Sequence, residues 1–323
     1  MNRHQFIRTL ALSAALTAAW GPAVAQTPGR TVRLVVPFPA GGATDLFARA
    51  LQTRLSEALG ANVVVDNKPG AGGSLGADIV AKAPADGLTL LLATSSTHAI
   101  GPALSVRLPY NTVTDFTPIV HVGNAPSLML VPNNSPAQSV KEWIELARRQ
   151  PGRLNYGSSG NGTIVQLTAE LFKAQAGIFV THIPYKGTAL AIPDLVTGNL
   201  DVMFDSLPTG LPHVRDKRLR ALAVTSLKRS PLAPDLPPVA DTLPGFDSNT
   251  WFGLYGPKGL PADAVQRINA AVNTVIAQPD LRARLSTFGI EPVGGTPQQM
   301  AQMVAEDLAK WKRIIVERKI SND

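Results

Sequence analysis

Apolar residues in this chain follow two alternating patterns, short uninterrupted runs and stretches with a period of three to four residues. The first run, 32–36, ends in two prolines and two glycines before a helical pattern over 45–59. Runs of this length are typical of buried strands, and the longer period is typical of amphipathic helices. The same order recurs, with strands predicted at 62–66, 88–93, 154–156, 178–184, 200–204 and 220–226 and helices at 139–149, 163–175 and 188–197. This alternation predicts an α/β fold with mainly parallel sheets flanked by helices.

The length of the chain favours two lobes, because one hydrophobic core rarely serves about 300 residues. Extended runs at 119–131 and 248–256 are suited to crossing from one lobe to the other and back. The helices from Pro261 to near Lys319 are then expected to pack on the first lobe. The predicted parts are a signal peptide over 1–25, a discontinuous first lobe over 26–124 and 252–323, and a second lobe over 125–251, with two crossover strands as a hinge.

The first 25 residues have the order of a secretory signal peptide. Arg3 and Arg8 make the start positive, 10–20 is apolar, and 23–25 reads Ala-Val-Ala, the small-residue pattern that precedes cleavage. Cleavage after Ala25 would leave a periplasmic protein. No later segment approaches the ~20 apolar residues that a membrane-spanning helix needs. The mature protein is therefore expected to be exported and soluble.

The composition and motifs of the chain exclude several kinds of functional site. The chain has no cysteine, which excludes disulfides, thiolate catalysis and cysteine-ligated metals. Its histidines lack metal-ligand spacing, and no phosphate loop, dinucleotide fingerprint or nucleophile elbow occurs. The formal net charge of +7 comes from scattered basic residues, which argues against nucleic-acid binding. We therefore predict no metal, no cofactor, no catalytic residue and no nucleic-acid partner.

The most informative stretch is the turn between the first strand and the first helix. It reads Pro-Phe-Pro-Ala-Gly-Gly over 37–42. Unpaired N–H groups of about 41–44 and the positive end of the helix dipole would face one point, which favours an anion. An ordinary strand-to-helix turn would give the same pattern. The loop alone does not separate these two interpretations.

A second stretch repeats this design more than a hundred residues later. Over 154–163 a short strand ends in a loop rich in Gly and Ser, and Thr163 opens another amphipathic helix. Two helix N-termini on separate segments could face each other across a cleft. They would then hold an acidic small molecule between them.

Polar residues also follow three of the predicted strands, at 94–98, 185–187 and 205–206. Ligands of open α/β sheets lie at the carboxyl ends of the strands, so these clusters point to the same place as the two loops. Gly41, Gly42 and Thr44 are expected to donate hydrogen bonds from the first lobe, beside Ala40 and an apolar wall at Phe38. Ser158, Gly160, Gly162 and Thr163 are expected to donate from the second lobe. Ligand choice is assigned to Asp45, Ser96, His98, Tyr185, Lys186, Gly187 and Asp205, with Asp45 or Asp205 favouring an amine or hydroxyl donor.

With these segments in view, the chain resembles the Bug family, the extracytoplasmic solute receptors of tripartite tricarboxylate transporters. The resemblance covers essentially the whole mature chain. Its motifs are Val36-Pro37-Phe38-Pro39-Ala40-Gly41-Gly42 with Asp45, Asn67-Lys68-Pro69-Gly70-Ala71-Gly72-Gly73, Leu108-Pro109-Tyr110 with Asp115-Phe116-Thr117-Pro118, Tyr156-Gly157-Ser158-Ser159-Gly160, Pro184-Tyr185-Lys186-Gly187, and Gly198 with Asp205.

The resemblance implies a two-lobed Venus-flytrap receptor of the type II-like periplasmic binding proteins. Such a receptor closes on a small carboxylate, mostly through backbone amides and ordered water, and delivers it to membrane transporter subunits. We expect this protein to act as a monomer. One departure from the family pattern is Gln166, which stands where a histidine is common.

Two other functions stay open at this point. One is an exported hydrolase whose serine, Ser158 or Ser159, meets its partners only in the folded protein. The other is a receptor that passes the closed form to a sensor kinase instead of a transporter. Ester turnover that is lost on Ser158→Ala or Ser159→Ala would support the hydrolase.

Overall fold

The computed structural model describes residues 29–104 and 107–320. The helices and strands described lie in the compact unit that begins at Thr31. The strands are β1 (Thr31–Val36), β2 (Asn62–Asn67), β3 (Thr89–Thr94), β4 (Phe116–Pro132), β5 (Asn155–Ser158), β6 (Thr181–Pro184), β7 (Val202–Ser206), β8 (Leu219–Val224), β9 (Asn249–Pro257) and β10 (Glu291–Pro292).

Most strands are followed by a helix, which confirms the predicted α/β class. The helices are α1 (Ala43–Leu59), α2 (Ser74–Ala81), α3 (Gly101–Leu104), α4 (Val140–Arg149), α5 (Ile164–Ala176), α6 (Thr188–Thr197), α7 (Leu207–Arg215), α8 (Ala262–Ala277), α9 (Pro279–Thr287) and α10 (Pro297–Arg318). A π-helical turn, Ser96–Ile100, joins β3 to α3.

The strands form one mixed sheet with the order β2-β1-β3-β9-β4-β7-β5-β6, and β8 and β10 also pair with β4. The outer pairs β1–β2, β1–β3, β5–β6 and β5–β7 are parallel. The pairs that involve β4 or β9 are antiparallel. The prediction of mainly parallel sheets therefore holds only for the outer strands, because β4 and β9 run against their neighbours.

Strand β4 belongs to two parts of the sheet. Its residues Phe116 to Pro126 pair with β9, whereas Ser127 to Pro132 pair with β7 and β8. We call β1, β2, β3, β9, β10 and the start of β4 the first half of the sheet, and β5 to β8 with the end of β4 the second half. The long extended run in the sequence is therefore a single strand shared by both halves.

The last helices pack largely on the first half. Ile268 and Val272 of α8 and Leu281 of α9 pack in a core cluster with Phe47 of α1 and Phe252 of β9, all in the first half. Helix α10 contacts β4, the π-helical turn and α3, and to a smaller extent α5 of the second half. The expectation that the terminal helices pack on the first lobe stays a prediction.

Two predictions concern the membrane and export. In the described part of the chain, no helix is both long and apolar enough to cross a membrane. The predicted signal peptide, 1–25, lies outside the described residues.

Candidate ligand-binding site

A cleft of about 490 Å³, part of it open to solvent, lies between the two halves of the sheet. The first half contributes the turn and helix start from Phe38 to Thr44, the end of β3 and part of β9. The second half contributes Ser159, the first turns of α5 and α6, and the end of β7. We call this space the inner cleft. Its walls come from the carboxyl ends of strands, as the sequence predicts.

The start of α1 opens into the inner cleft with free backbone donors. Gly42 is its N-cap, has an extended backbone and, as a glycine, offers no side-chain cap. The N–H groups of Ala43 and Thr44 have no hydrogen-bond partner among the described residues, and both residues line the cleft. These donors and the helix dipole favour a negative charge at this point.

Asp45 and Gly41 hold the α1 turn instead of lining the cleft. The N–H group of Gly41 donates to Asp45 Oδ2 at 2.9 Å, and the carboxylate also accepts from Arg49 and Asn67. Burial raises the pKa of Asp45, but these donors outweigh it and hold the pKa below its ordinary value. In this arrangement Gly41 and Asp45 bond to each other, and their ligand roles stay predictions. Ala40 is exposed and also lies outside the cleft wall.

The start of α5, predicted as the second anion site, bonds only part of its donors within the protein. Thr163 Oγ1 donates to the carbonyl of Gly160 and accepts from Gln166 N–H. Gly162 N–H donates to the Gln166 side chain at 2.7 Å, and Gly160 N–H donates to Ser158 Oγ at 3.1 Å. The N–H group of Val165 has no partner among the described residues, and Val165 lines the cleft. The donor roles of Ser158, Gly160, Gly162 and Thr163 stay predictions, and in this arrangement these groups bond within their own loop and the helix start that follows it.

The second helix start that meets the cleft is that of α6. Its N-cap is Gly187, with φ of +128° and no side-chain cap. The N–H groups of Thr188 and Ala189 have no partner among the described residues, and both residues line the cleft. The sequence analysis named Gly187 but missed these two donors. The available signal was a glycine at the helix start, the same feature as Gly42.

Two buried polar side chains face the same cleft. Asp205 ends β7, is 1% exposed and accepts a hydrogen bond from Thr209. Burial raises the pKa of Asp205 to about 6, and hydrogen bonds from Thr209, Ser206 N–H and Thr188 limit the rise. Thr94 ends β3, is 2% exposed, and its hydroxyl has no partner among the described residues. A buried hydroxyl without a partner costs free energy unless a ligand or water satisfies it.

The rest of the inner cleft combines apolar side chains with serine and threonine hydroxyl groups. Phe38 and Pro39 face it from the first half together with Phe252, and Ile164 and Val165 face it from α5. Among the described residues, no lysine or arginine lines this space. An anion would therefore depend on backbone donors and hydroxyl groups.

A second cavity of about 650 Å³ adjoins the inner cleft and shares Phe38, Pro39 and Ser159 with it. We call it the outer vestibule. The loop Gly70 to Gly73 forms one side, and Gly160, Asn161, Tyr185 and Lys186 lie on the other. The Tyr185 hydroxyl donates to Asp194 at 2.5 Å, whereas Lys186 is exposed.

The halves meet closely around the inner cleft. Ile164 N–H in α5 donates to Ser96 Oγ in the first half at 3.0 Å. A Cβ atom on Gly72 would lie 2.4 Å from the carbonyl oxygen of Asn161, and one on Gly187 would lie 2.8 Å from Pro39. Only glycine allows these approaches. These contacts join the two halves beside the cleft.

His98 is not part of the cleft wall. It is fully buried among aromatic rings, with ring centroids 4.3 Å from Tyr255 and 4.6 Å from Phe116, and its Nδ1 lies 3.0 Å from Thr97 Oγ1. Burial lowers its pKa to about 3, so the ring is neutral. The role of His98 in ligand choice stays a prediction, and in this arrangement the ring does not reach the cleft. Its ring packs behind the π-helical turn that carries Ser96.

The fold does bring one serine and one histidine together. Ser158 Oγ lies 2.6 Å from His182 Nε2. However, Ser158 is 0% exposed and lines neither cavity. Ser159 lines both cavities but has no hydrogen bond to a histidine among the described residues. A hydrolase mechanism needs a nucleophile that its substrate can reach, and this pair does not provide one.

The structure therefore divides the sequence-predicted residues into three groups. Phe38, Gly42, Thr44, Ser96, Gly187 and Asp205 line the inner cleft, and Phe38, Gly160, Tyr185 and Lys186 line the outer vestibule. Neither cavity is lined by Ala40, Gly41, Asp45, His98, Ser158, Gly162 and Thr163. Within residues 29–104 and 107–320, no group of three or more histidine or acidic side chains could hold a metal ion.

Solved structures with the same architecture define the class of protein. Rpa4515 from R. palustris, solved with adipate, is 37% identical and has a TM-score of 0.88, with 91% of this chain and 99% of that chain covered. MatC from Rhodopseudomonas palustris, solved with bound malate, is 33% identical with a TM-score of 0.85 over 89% and 99% of the two chains. The fold is that of a periplasmic solute-binding protein.

Sequence comparison gives the family. The model of the tripartite tricarboxylate transporter family receptor matches residues 47–320. Protein BugT of Bordetella pertussis is 33% identical over 320 residues, which is 98% of each chain. The chain belongs to the tripartite tricarboxylate transporter receptor family, and the predicted resemblance to the Bug receptors is confirmed.

Proposed function

We propose that this protein is a periplasmic receptor that captures a small organic carboxylate in the inner cleft and delivers it to a tripartite-type membrane transporter. The observation that carries the proposal is the pair of glycine-capped helix starts, α1 and α6, whose free N–H groups line one cleft from opposite halves. The relatives with adipate and malate support a carboxylate as the ligand.

Backbone donors are strong enough for this task without an arginine. An anion at a partly buried helix N-terminus gains up to ~2 kcal/mol. Hydrogen bonds to a charged group contribute roughly 1.5–3 kcal/mol each. Three or four of them offset desolvation and reach about −8 kcal/mol, a micromolar Kd. The unpaired hydroxyl of Thr94 adds a further donor in the same cleft.

Capture is proposed to couple to closure of the two lobes, with the crossing strands β4 and β9 as the hinge. The contacts of Ser96 with Ile164 and of Gly72 with Asn161 join the halves at the cleft. A ligand that touches both α1 and α6 binds the closed form better than the open form, and this difference in affinity is what any closure requires. The closed form is then the one that the transporter recognises.

Export by the predicted signal peptide and action as a monomer belong to the same proposal. A membrane transporter is favoured over a sensor kinase as the partner because the family model describes transporter receptors.

The proposal is tested by thermal shift and calorimetry with adipate, malate, citrate and benzoate, each beside its methyl ester. Free acids should raise the Tm and their esters should not, because the ester lacks the charge that the helix starts bind. Equal stabilisation by acid and ester would overturn the proposal. Ester hydrolysis in the same samples, lost in Ser159→Ala, would instead support the hydrolase.

A further inference from the structure

The inner cleft contains a carboxylate of its own, which is unexpected in a site for acids. Asp205 is 1% exposed and lines the cleft with Thr188 and Ser206. The hydroxyl of Thr209 and the N–H group of Ser206 hold its oxygens in place. Its position is therefore fixed, and it cannot turn away when a ligand enters.

No opposite charge faces Asp205 from the first half. Among the described residues, Asp205 is the one charged side chain in the lining of the inner cleft. On α1, the carboxylate of Asp45 bonds with Arg49 and Asn67. The end of β3 contributes Thr94 and Ser96, which are neutral. The partner of Asp205 across the sheet is Leu128 of β4.

The elements of the second half also bring no cation to Asp205. The first turn of α5 contributes Ile164 and Val165, and its Glu170 and Lys173 pair with each other. Before α6, Lys186 lies in the outer vestibule. Tyr185 donates to Asp194, in the last turn of α6. The basic residues of α7, His213 and Arg215, lie in its last turn, away from the helix start at Ser206.

We propose that the protein captures its ligand together with one proton, which is shared between a carboxyl group of the ligand and Asp205. This inference rests on the proposed function. The charge balance is as follows. The ionised ligand and ionised Asp205 combine with one proton from solvent. The complex therefore carries one negative charge fewer than the ligand and Asp205 carry together.

The physical reason is that two carboxylates cannot both be ionised cheaply in one buried cleft whose described lining contains no cation. In such pairs one pKa rises strongly, and the pair holds a single proton between its oxygens. The helix starts of α1 and α6 stabilise the one negative charge that stays. Burial, offset in part by the hydrogen bonds that Asp205 accepts, already raises its pKa to about 6 before any ligand is present.

The direction of the pH dependence follows from linkage. Near pH 5 the free protein already carries the proton on Asp205, so binding takes up almost none from this group. Near pH 8 free Asp205 is ionised, so binding takes up about one proton, and Kd rises about tenfold per pH unit above pH 6. Between pH 6 and pH 8 affinity should fall about a hundredfold.

The test is titration calorimetry of the wild-type protein at pH 5 and pH 8, in two buffers with different ionisation enthalpies. The probe is whichever of adipate, malate, citrate and benzoate binds most tightly in the thermal-shift screen. Dependence of the observed enthalpy on the buffer gives the number of protons taken up. We expect a number close to one at pH 8 and a much smaller one at pH 5.

Two variants assign the proton. Asp205→Asn keeps the size of the side chain and removes the titrating group, so its affinity at pH 8 should rise and its pH dependence should flatten. Proton uptake that persists in Asp205→Asn belongs to the ligand. Asp201→Asn, directly before the other end of β7 and outside both cavities, is the matched control and should titrate like wild type. The wild-type proton count stands even if Asp205→Asn does not fold.

The outcomes separate the two proposals. If no acid of the panel binds at either pH, the proposed function fails, and this inference fails with it. If an acid binds at pH 8 without proton uptake, the receptor function stands and the shared proton is wrong. A loss of affinity in Asp205→Asn at both pH values would then mean that Asp205 accepts a hydrogen bond from a ligand hydroxyl or amine.

Discussion

Helices α1 and α5 both begin at the cleft, but they have different caps, and the protein bonds more of the first N–H groups of α5 than of α1. At α1 the N-cap is Gly42, and the donors of Ala43 and Thr44 stay free. At α5 the N-cap is Thr163, and its own side chain and Ser96 take up donors of the first turn. A threonine cap stabilises its helix by using a donor, whereas a glycine cap leaves the donors for a ligand.

The start of α6 supports the same distinction. Gly187 caps it without a side chain, and the free donors of Thr188 and Ala189 line the cleft opposite α1. Where a serine, threonine or aspartate would stabilise the helix, the chain has glycine at the starts of α1 and α6. The comparison therefore identifies glycine-capped starts as the candidate anion sites and a threonine-capped start as a structural one.

Removing a donor from α1 should have the largest effect. Ala43→Pro deletes the Ala43 N–H, and proline is well tolerated at the first helical position after an extended residue such as Gly42. Losing one hydrogen bond to a charged ligand costs roughly 1.5–3 kcal/mol. Calorimetry should show affinity for the best acid of the panel falling roughly ten- to a hundredfold.

The matched control for this variant is Ala262→Pro. Ala262 is the first residue of α8, is exposed, follows an extended Pro261 and lies outside both cavities. It should bind like wild type. If Ala43→Pro also keeps its affinity, the α1 start is an ordinary turn and the contrast with α5 has no functional meaning.

Blocking the approach of the two halves should have an intermediate effect. Gly72→Ala would place a Cβ atom 2.4 Å from the carbonyl oxygen of Asn161 in the other half. The variant lies in the outer vestibule and removes no donor from the inner cleft. We expect roughly tenfold weaker binding, about 1.4 kcal/mol, with faster ligand dissociation in stopped-flow measurements.

Gly177→Ala is the control for backbone strain in this experiment. Gly177 has φ of +63°, nearly the +64° of Gly72, and a Cβ atom there would meet nothing within 4 Å. In both variants alanine must adopt a left-handed backbone conformation, which costs free energy, so both should lower the Tm. Only Gly72→Ala should lose affinity. Equal affinity in the two variants would show that the Gly72 contact plays no part in capture.

Much of the fold could be predicted because each element leaves a local signal. The helical spacing over 45–59 and the run at 88–93 gave α1 and β3 within two residues at each end. The antiparallel placement of β4 and β9 could not be predicted, because strand direction in a sheet depends on the partner and not on the apolar pattern. The packing of α10 on both halves could not be predicted either, because it also depends on partners that the apolar pattern of the helix does not name.

The candidate site was predicted in part for a similar reason. Glycine turns at Gly42 and Gly187 and the polar residue after β7, Asp205, are visible in the sequence. Whether a donor is free is not visible, because it depends on partners far along the chain, as for Ile164 and Ser96, which are 68 residues apart. The burial of His98 could not be predicted either, because the sequence does not show the aromatic rings that surround it in the fold.

The smallest effect on affinity should come from the α5 cap, and this result would separate the two helix starts most directly. Thr163→Ala removes the side chain that accepts from Gln166 N–H and donates to Gly160. Losing such a cap costs ~1 kcal/mol of stability, so the Tm should fall by roughly 2–4 °C. Acid binding should stay within about twofold of wild type, because the ligand does not use this helix start. A loss of affinity as large as that of Ala43→Pro would mean that α5 releases its internal bonds to bind the acid, and the distinction between glycine and threonine caps would no longer identify the site.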